Sequence, residues 1–255
     1  MSDIYVYGTI GEDWLGDGFT AADMRDGLEA ADGGDVTIHI NSGGGDVFEA
    51  TAISSLVSQY REANPAATVE TIVEGLAASA ASYLGLTAGR VLIAPGAMMM
   101  VHDPSGGCYG QAQDMRRMAD ALDAVRDSIA TLYARKAGGS PEAWAERMAA
   151  ETWLTAEEAV ELELADAIAE DRAAIAASVD PRIRAAWRHA PEALLDGAGA
   201  GPARDAGDGG PTIQTREPEP VGADEGAAGA DAVQAEAEAA SRAVIVGGDV
   251  LVLKQ

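Results

Sequence analysis

Three short stretches of the chain hold residue types that could do covalent chemistry. In Ile40-Asn41-Ser42-Gly43-Gly44-Gly45-Asp46, three glycines separate a β-branched run from a helix-capping Asp. Backbone N–H groups in such a segment can face an anion or a developing oxyanion, and glycine permits close approach. The segment lacks the Gly-Lys-Ser/Thr ending of a phosphate loop and the spacing of a dinucleotide fingerprint. A tight strand-to-helix turn would carry the same residues. In Gly75-Leu76-Ala77-Ala78-Ser79-Ala80-Ala81-Ser82, a serine follows an apolar run and opens a small-residue helix. Such a turn exposes Oγ, and a helix N-terminus favours negative charge. A closely packed Ala/Ser helix would read the same way, and Gly-x-Ser-x-Gly is absent. In Met99-Met100-Val101-His102-Asp103-Pro104, an imidazole ends an apolar strand, where it could take the proton of a serine. A capped strand end is the alternative. Of the other two histidines, His39 sits mid-strand and reads as structural, and His189 reads as solvent-exposed.

The elements that must position these residues alternate between strand and helix. Strands are expected at 4–7, 36–40, 67–73, 91–93 and 98–101, from β-branched and apolar runs. Helices are expected at 20–30, opened by Thr20 with Asp23 three residues on, and from Asp46 to about 61. Further helices are expected at 78–88 and 111–137, and from Pro141 at a first turn. Thr155-Ala156-Glu157-Glu158 is a capping-box pattern for a last helix leading into 165–168, and 43–45 is expected to be a tight loop. Repeated strand–helix units point to an α/β fold with crossover connections.

The domain is expected to occupy 1–180. Residues 181–242 read as an acidic Ala/Gly/Pro-rich disordered tail, too poor in large apolar residues to offset its ordering entropy. Residues 243–255 read as two short apolar strands around Gly247-Gly248-Asp249, able to pair with a sheet edge or to act as a binding peptide.

Composition narrows the function further. Lys+Arg number 17 against 42 Asp+Glu, a formal net charge of −25, which argues against binding to nucleic acid or to anionic lipid. The acidity fits either an ordinary solvated surface or a protein of a salty cytoplasm. A single Cys excludes a disulfide framework or a Cys-rich zinc site. The first residues have no basic stretch followed by an apolar one, and no apolar run approaches ~20 residues. The expectation is a cytoplasmic, non-secreted protein without a membrane span.

Taken in order, five segments resemble the Clp-type serine peptidases of the ClpP/crotonase superfamily. They are Ile40 to Gly45, Gly75 to Ser79, Val101 to Pro104, Gly106-Gly107-Cys108-Tyr109-Gly110-Gln111-Ala112-Gln113-Asp114, and Trp153-Leu154-Thr155-Ala156-Glu157-Glu158-Ala159-Val160. The resemblance covers about 4–170. It is greatest to phage head-maturation proteases, whose late motif is similar to Glu151 through Val160 here.

The resemblance implies a spiral of β-β-α units with a protruding "handle" helix from Gln111. It implies Ser79 as nucleophile, His102 as general base, and Glu151 at the position where the family has Asp. Asp103 and Asp166 are stand-ins for that third member. The oxyanion donors would be the backbone N–H groups of Gly45 and Ala80, with Gly44, Gly106 and Gly107 binding substrate. Gly43 stands where the peptidases usually have Pro, and Ala80 where they usually have Met. Trp144 and Trp153 are expected to pack near the handle. No cofactor or metal is implied. The partners implied are further copies of the chain in a ring, and a capsid precursor or scaffold protein as substrate, with the chain's own tail as another target. The setting implied is the cytoplasm of an infected host cell or the interior of a prohead. Three alternatives stand beside this: a Ser/Lys peptidase, for which Lys136 is the only lysine in the expected domain; a crotonase-like acyl-CoA enzyme; and a vestigial protease whose tail does the work.

Overall fold

A computed structural model describes residues 1–12, 18–169, 175, 179, 181–185, 187–191, 243–246 and 249–252. Most of the expected disordered tail therefore lies outside the described residues. The frame is a sheet in the order β1 (Ser2–Ile10), β2 (Val36–Gly45), β3 (Val69–Ala78), β4 (Arg90–Ile93) and β8 (Ala167–Ile168), all parallel. Parallel neighbours need crossover connections. These are supplied by α1 (Ala21–Ala30), α2 (Val47–Ala63), and the short α3 (Ala80–Leu84) with the 3₁₀ turn that follows it. The result is a mixed α/β fold.

Local chemistry sets the helix starts where the sequence places them. Thr20 and Asp23 form a reciprocal capping box on α1. The Asp46 carboxylate accepts from the N–H groups of Phe48 and Glu49 at the head of α2. Val47, Ala50, Ile53, Ser54 and Val57 then fall on one buried stripe at helical spacing. That stripe packs with Ile38, Ile40 and Val73 in the main core.

Strand β3 is the pivot. Along 70–73 it pairs with β4, and along 76–78 it pairs instead with β5 (Met98–Val101), again parallel. Beyond β5 lies β7 (Thr152–Thr155), the one antiparallel strand in this sheet. The sequence reading ends this strand at 73, but it continues to Ala78. Glu74 to Ala78 are all buried, Leu76 to Ala78 pair with β5, and Ala77 also pairs with Ser42 of β2. The glycine run also differs from expectation: Gly43 to Gly45 are the last residues of β2, not a loop, because β1 extends to Ile10 and pairs with Gly44 and Gly45. The helix expected at 78–88 is correspondingly reduced to five residues and a 3₁₀ turn.

After β6 (Gly106–Cys108), the helix α4 (Ala112–Ala137) runs 26 residues, ~39 Å at the usual rise. Its C-terminal half is anchored by Ile129, Ala130 and Tyr133, whereas in its first half only Met118 is buried. Trp144, on α5 (Pro141–Ala149), packs on Tyr133 at 5.2 Å and donates its indole N–H to the Gly138 carbonyl. Trp153 packs elsewhere, at 5.0 Å from Trp187, so only one of the two tryptophans expected at the handle is there. The chain turns back through Thr155, which caps α6 (Ala156–Glu161) with Glu158 in a capping box.

The packed unit also runs past the expected boundary at 180. Helix α7 (Pro181–Ala185) and the buried Trp187 lie against the sheet, with Trp187 joining Leu76, Ala78 and Met100 in a second apolar cluster. A lone large aromatic at the edge of an Ala-rich stretch has this apolar seat to fill. The last described strands, β9 (Ala243–Val246) and β10 (Asp249–Val252), form the expected antiparallel pair, and β9 pairs antiparallel with β6. Among the described residues no helix is long and apolar enough to cross a membrane.

Candidate active site

Ser79 follows directly on β3, and its N–H donates to the Met100 carbonyl at 2.9 Å. That bond extends the β3–β5 ladder by one residue and ties the serine to the strand that carries His102 one residue past its end. Both strands run the same way, so both carboxyl ends open on one side of the sheet, where α/β folds place their sites. There the Ser79 hydroxyl and His102 Nε2 stand 2.7 Å apart. For Oγ to donate, Nε2 must carry the lone pair, which puts the neutral ring's proton on Nδ1.

The Ser79 backbone sits at φ 54, ψ −127, a region glycine alone enters freely. Holding a serine there costs about 1–3 kcal/mol, which the surrounding contacts must supply. One such contact is a hydroxyl relay. Ser82 Oγ donates to the Ser79 carbonyl at 2.5 Å and, its proton spent, accepts from the Tyr133 hydroxyl at 2.5 Å. The base of α4 thereby braces the serine turn.

Glycine is required beside it. Gly44 has φ 100, and a Cβ there would lie 2.7 Å from Ser79 Cβ and 3.1 Å from the Ala80 nitrogen. Gly45 stands in register with Ile10, whose carbonyl accepts from Asp46 N. In a parallel ladder the flanking residues make those bonds, so the Gly45 N–H turns away from β1, toward the side that holds Ser79. The Ala80 N–H is the first of α3 and belongs to the donors a helix start leaves without an intrahelical partner. These two amides thus border the serine.

Glu151 lies in the turn between α5 and β7 with φ 51, and is buried. Its carboxylate accepts from the backbone N–H of Arg188 at 2.6 Å, from that of His189 at 2.7 Å and from the Trp153 indole at 3.2 Å. Burial pushes this carboxyl up, but the His189 and Arg188 amides, the Trp153 indole and His102 together hold it below the usual carboxylate range. It acts on His102 through its charge. Burial pushes the His102 imidazole below its ordinary value, the Glu151 charge opposes that shift, and Arg188 adds to it.

The stand-ins for the third member sit otherwise. Asp103 has a buried Oδ1 without a hydrogen-bond partner among the described residues, and burial raises its carboxyl. Asp166 accepts from Val91 N at 2.6 Å and from Lys136 Nζ at 2.7 Å, so it pins β4 to the end of α4. Lys136 is thereby engaged away from Ser79. His39 is buried in the sheet, with its ring nitrogens 2.9 Å from Glu74 and 3.2 Å from Asp3 and Tyr5 stacked on it. Gly106 and Gly107 are exposed on β6, where they pair with Val246 and Ile245 of β9. No cluster of metal-ligating side chains occurs among the described residues.

Sequence reasoning missed Trp187, Arg188 and His189 as neighbours of the site. Two of the contacts are backbone amides, which no residue type announces. The one available signal was Trp187, a bulky aromatic in a stretch otherwise poor in them.

Two predictions follow from this geometry. Ser79→Gly and Ser79→Ala both remove the hydroxyl, but glycine relieves the backbone strain. Ser79→Gly should be the more stable of the two by about 1 kcal/mol or more in denaturant unfolding, and equal or reversed stabilities would contradict the strained turn. Acylation of Ser79 by a fluorophosphonate should keep its rate down to a pH below that of an ordinary imidazole, about 6.5. Glu151→Gln removes the charge that raises His102, so its acid limb should move lower still. Its plateau rate should fall by about tenfold or more. A limb that stays put or moves up would contradict the electrostatic link.

Comparison with known proteins gives a consistent picture. A family model described as Clp protease matches residues 27–172, more than half of the chain. The chain is 33% identical over 141 residues to the ATP-dependent Clp protease proteolytic subunit 3 of Streptomyces coelicolor, covering 54% of this chain and 63% of that protein. It is 34% identical over 146 residues to the ATP-dependent Clp protease proteolytic subunit of Porphyromonas gingivalis, covering 56% and 64%. The match thus spans less than two thirds of either relative. Among solved structures, a ClpP1 point mutant from Listeria monocytogenes matches with a TM-score of 0.56 and 25% identity, covering 66% of this chain and 91% of that one. The chain belongs to the Clp protease family.

Proposed function

We propose that this protein is a serine endopeptidase in which Ser79 attacks a peptide carbonyl. The observation that carries this is the 2.7 Å contact between Ser79 Oγ and His102 Nε2 at a strained strand-to-helix turn. On this reading His102 takes the Oγ proton as the C–O bond forms, and the Glu151 charge stabilises the resulting imidazolium. The amides of Gly45 and Ala80 hold the oxyanion. His102 then delivers the proton to the leaving amine. Water repeats the cycle on the acyl-enzyme and frees the serine. Every step is proton transfer and acyl transfer, so the residues named suffice. The engagement of Lys136 with Asp166 counts against a Ser/Lys mechanism.

The substrate runs along β6, beside Gly44, Gly106 and Gly107. That edge accepts an extended antiparallel segment, since β9 of the chain's own C-terminal region pairs with it. The enzyme works as a ring of identical subunits built through α4, whose exposed first half supplies surface for neighbours. We assign it to phage head maturation, where it trims a capsid precursor or scaffold protein and removes part of its own tail. Its setting is then the infected host's cytoplasm or the prohead interior. The late motif from Glu151 to Val160 and the long acidic extension beyond the matched family region support this assignment.

Co-expression with a phage capsid precursor, read by intact mass, tests the assignment. The wild-type chain should shorten the precursor, its own C-terminus or both, and Ser79→Ala should leave both intact. Identical masses in the two cultures would overturn the maturation role.

A further inference from the structure

The matched family region ends at 172, yet the chain beyond it returns to the site. The Ile175 N–H donates to the Glu74 carbonyl on β3. Val179 lies on Gly43, where any Cβ would come within 2.7 Å of its Cγ1, and Ile183 of α7 flanks the same glycine. Trp187 then buries its ring against Trp153, Leu76, Ala78 and Met100. The next two residues give their backbone N–H groups to the two oxygens of Glu151, Arg188 to Oε2 and His189 to Oε1. Their side chains are exposed, so the contact is made by the main chain.

We propose that Trp187 anchors a C-terminal strap whose Arg188 and His189 amides position the Glu151 carboxylate beside His102, so that a segment outside the matched family region belongs to the working site. The inference rests on the peptidase reading above. Its physical basis is the length of Glu. Its extra methylene gives the carboxylate more rotamers than Asp has, and those must be restrained for the charge to stay near the imidazole. Two adjacent amides restrain both oxygens at once. The Trp153 indole, packed edge-on against Trp187, supplies the third donor. Trp187 thus sets the strap's position and helps to set the indole's. These are positioning residues, since none of them touches Ser79 or a reacting atom. Any tail processing that leaves an active enzyme must cut beyond Ala190.

Proline lacks an N–H, and this isolates the clamp from the side chains. In the full chain, His189→Pro is compared with His189→Ala, and Arg188→Pro with Arg188→Ala. The Ala member of each pair keeps the amide and accounts for the lost side chain, including the Arg188 charge that acts on His102. The readout is fluorophosphonate acylation of Ser79 against pH. Each Pro variant should react about tenfold more slowly than its Ala partner, the size of one charge-assisted hydrogen bond. Its acid limb should also lie lower. Among the described residues, the charged groups that act on the imidazole are Glu151 from the α5–β7 turn and Arg188 from the strap, and a freed Glu151 supports the imidazolium less. A purely structural strap would change thermal stability and leave the limb in place. Pro and Ala partners with equal rates and limbs would overturn the inference, whereas a wild-type Ser79 that does not react would overturn the peptidase reading instead. Hydrogen exchange covers the case of a Pro variant that does not fold. The Arg188 and His189 amides should exchange slowly in the wild-type chain and quickly in Glu151→Ala, and rapid exchange in the wild type would overturn the clamp.

Discussion

The site depends on one register, the parallel pairing of β3 with β5. Leu76, Ala77 and Ala78 lie opposite Met98, Met99 and Met100, and the Ser79 amide closes the ladder on the Met100 carbonyl. A shift of one residue would turn every side chain of β5 to the other face. It would also move His102 by more than 3 Å along the strand, beyond reach of Ser79 Oγ. The core defends that register. Met99 and Ala77 pack in the main cluster, whereas Leu76, Ala78 and Met100 pack in the second, so both faces of the pair are buried and a slip would exchange their environments.

Around that ladder, each part of the site is held by something other than its own preference. The Ser79 backbone is strained, and the Tyr133–Ser82 relay and the Met100 bond hold it in place. Gly44 is reduced to a bare backbone because a side chain there would occupy the serine's space. Glu151, itself at positive φ, stays ionised in a buried place because three N–H donors meet it. This is the pattern of a preorganised site, where groups are fixed before a reaction develops charge. The same burial that lowers the His102 imidazole keeps it neutral and able to accept a proton.

The legible parts of this arrangement were those written in local chemistry. Thr20, Asp46 and Thr155 each cap a helix through contacts within a few residues, and Pro141 opens α5 from its first turn. Ser79 and His102 were legible because each ends an apolar run, and strand ends are where such a fold exposes side chains. The length of β3 was not legible, since Glu74 and Gly75 interrupt the β-branched run and only the paired neighbours keep them extended. Gly43 to Gly45 read as a loop for the same reason. Whether a glycine run turns or pairs depends on β1, far away in sequence. The strap escaped notice because it works through backbone amides and one tryptophan. Its effect depends on where Glu151 lies in space, and nothing in the types of Arg188 and His189 records that.

If the β3–β5 register holds Ser79 and His102 together, the two form a single reactive unit. Intact-mass measurement after fluorophosphonate treatment of the wild-type chain, Ser79→Ala and His102→Ala tests it most directly. One adduct is expected on the wild type, none on Ser79→Ala, and a strongly slowed adduct on His102→Ala. An adduct that persists on Ser79→Ala, or forms on His102→Ala at the wild-type rate, would contradict it.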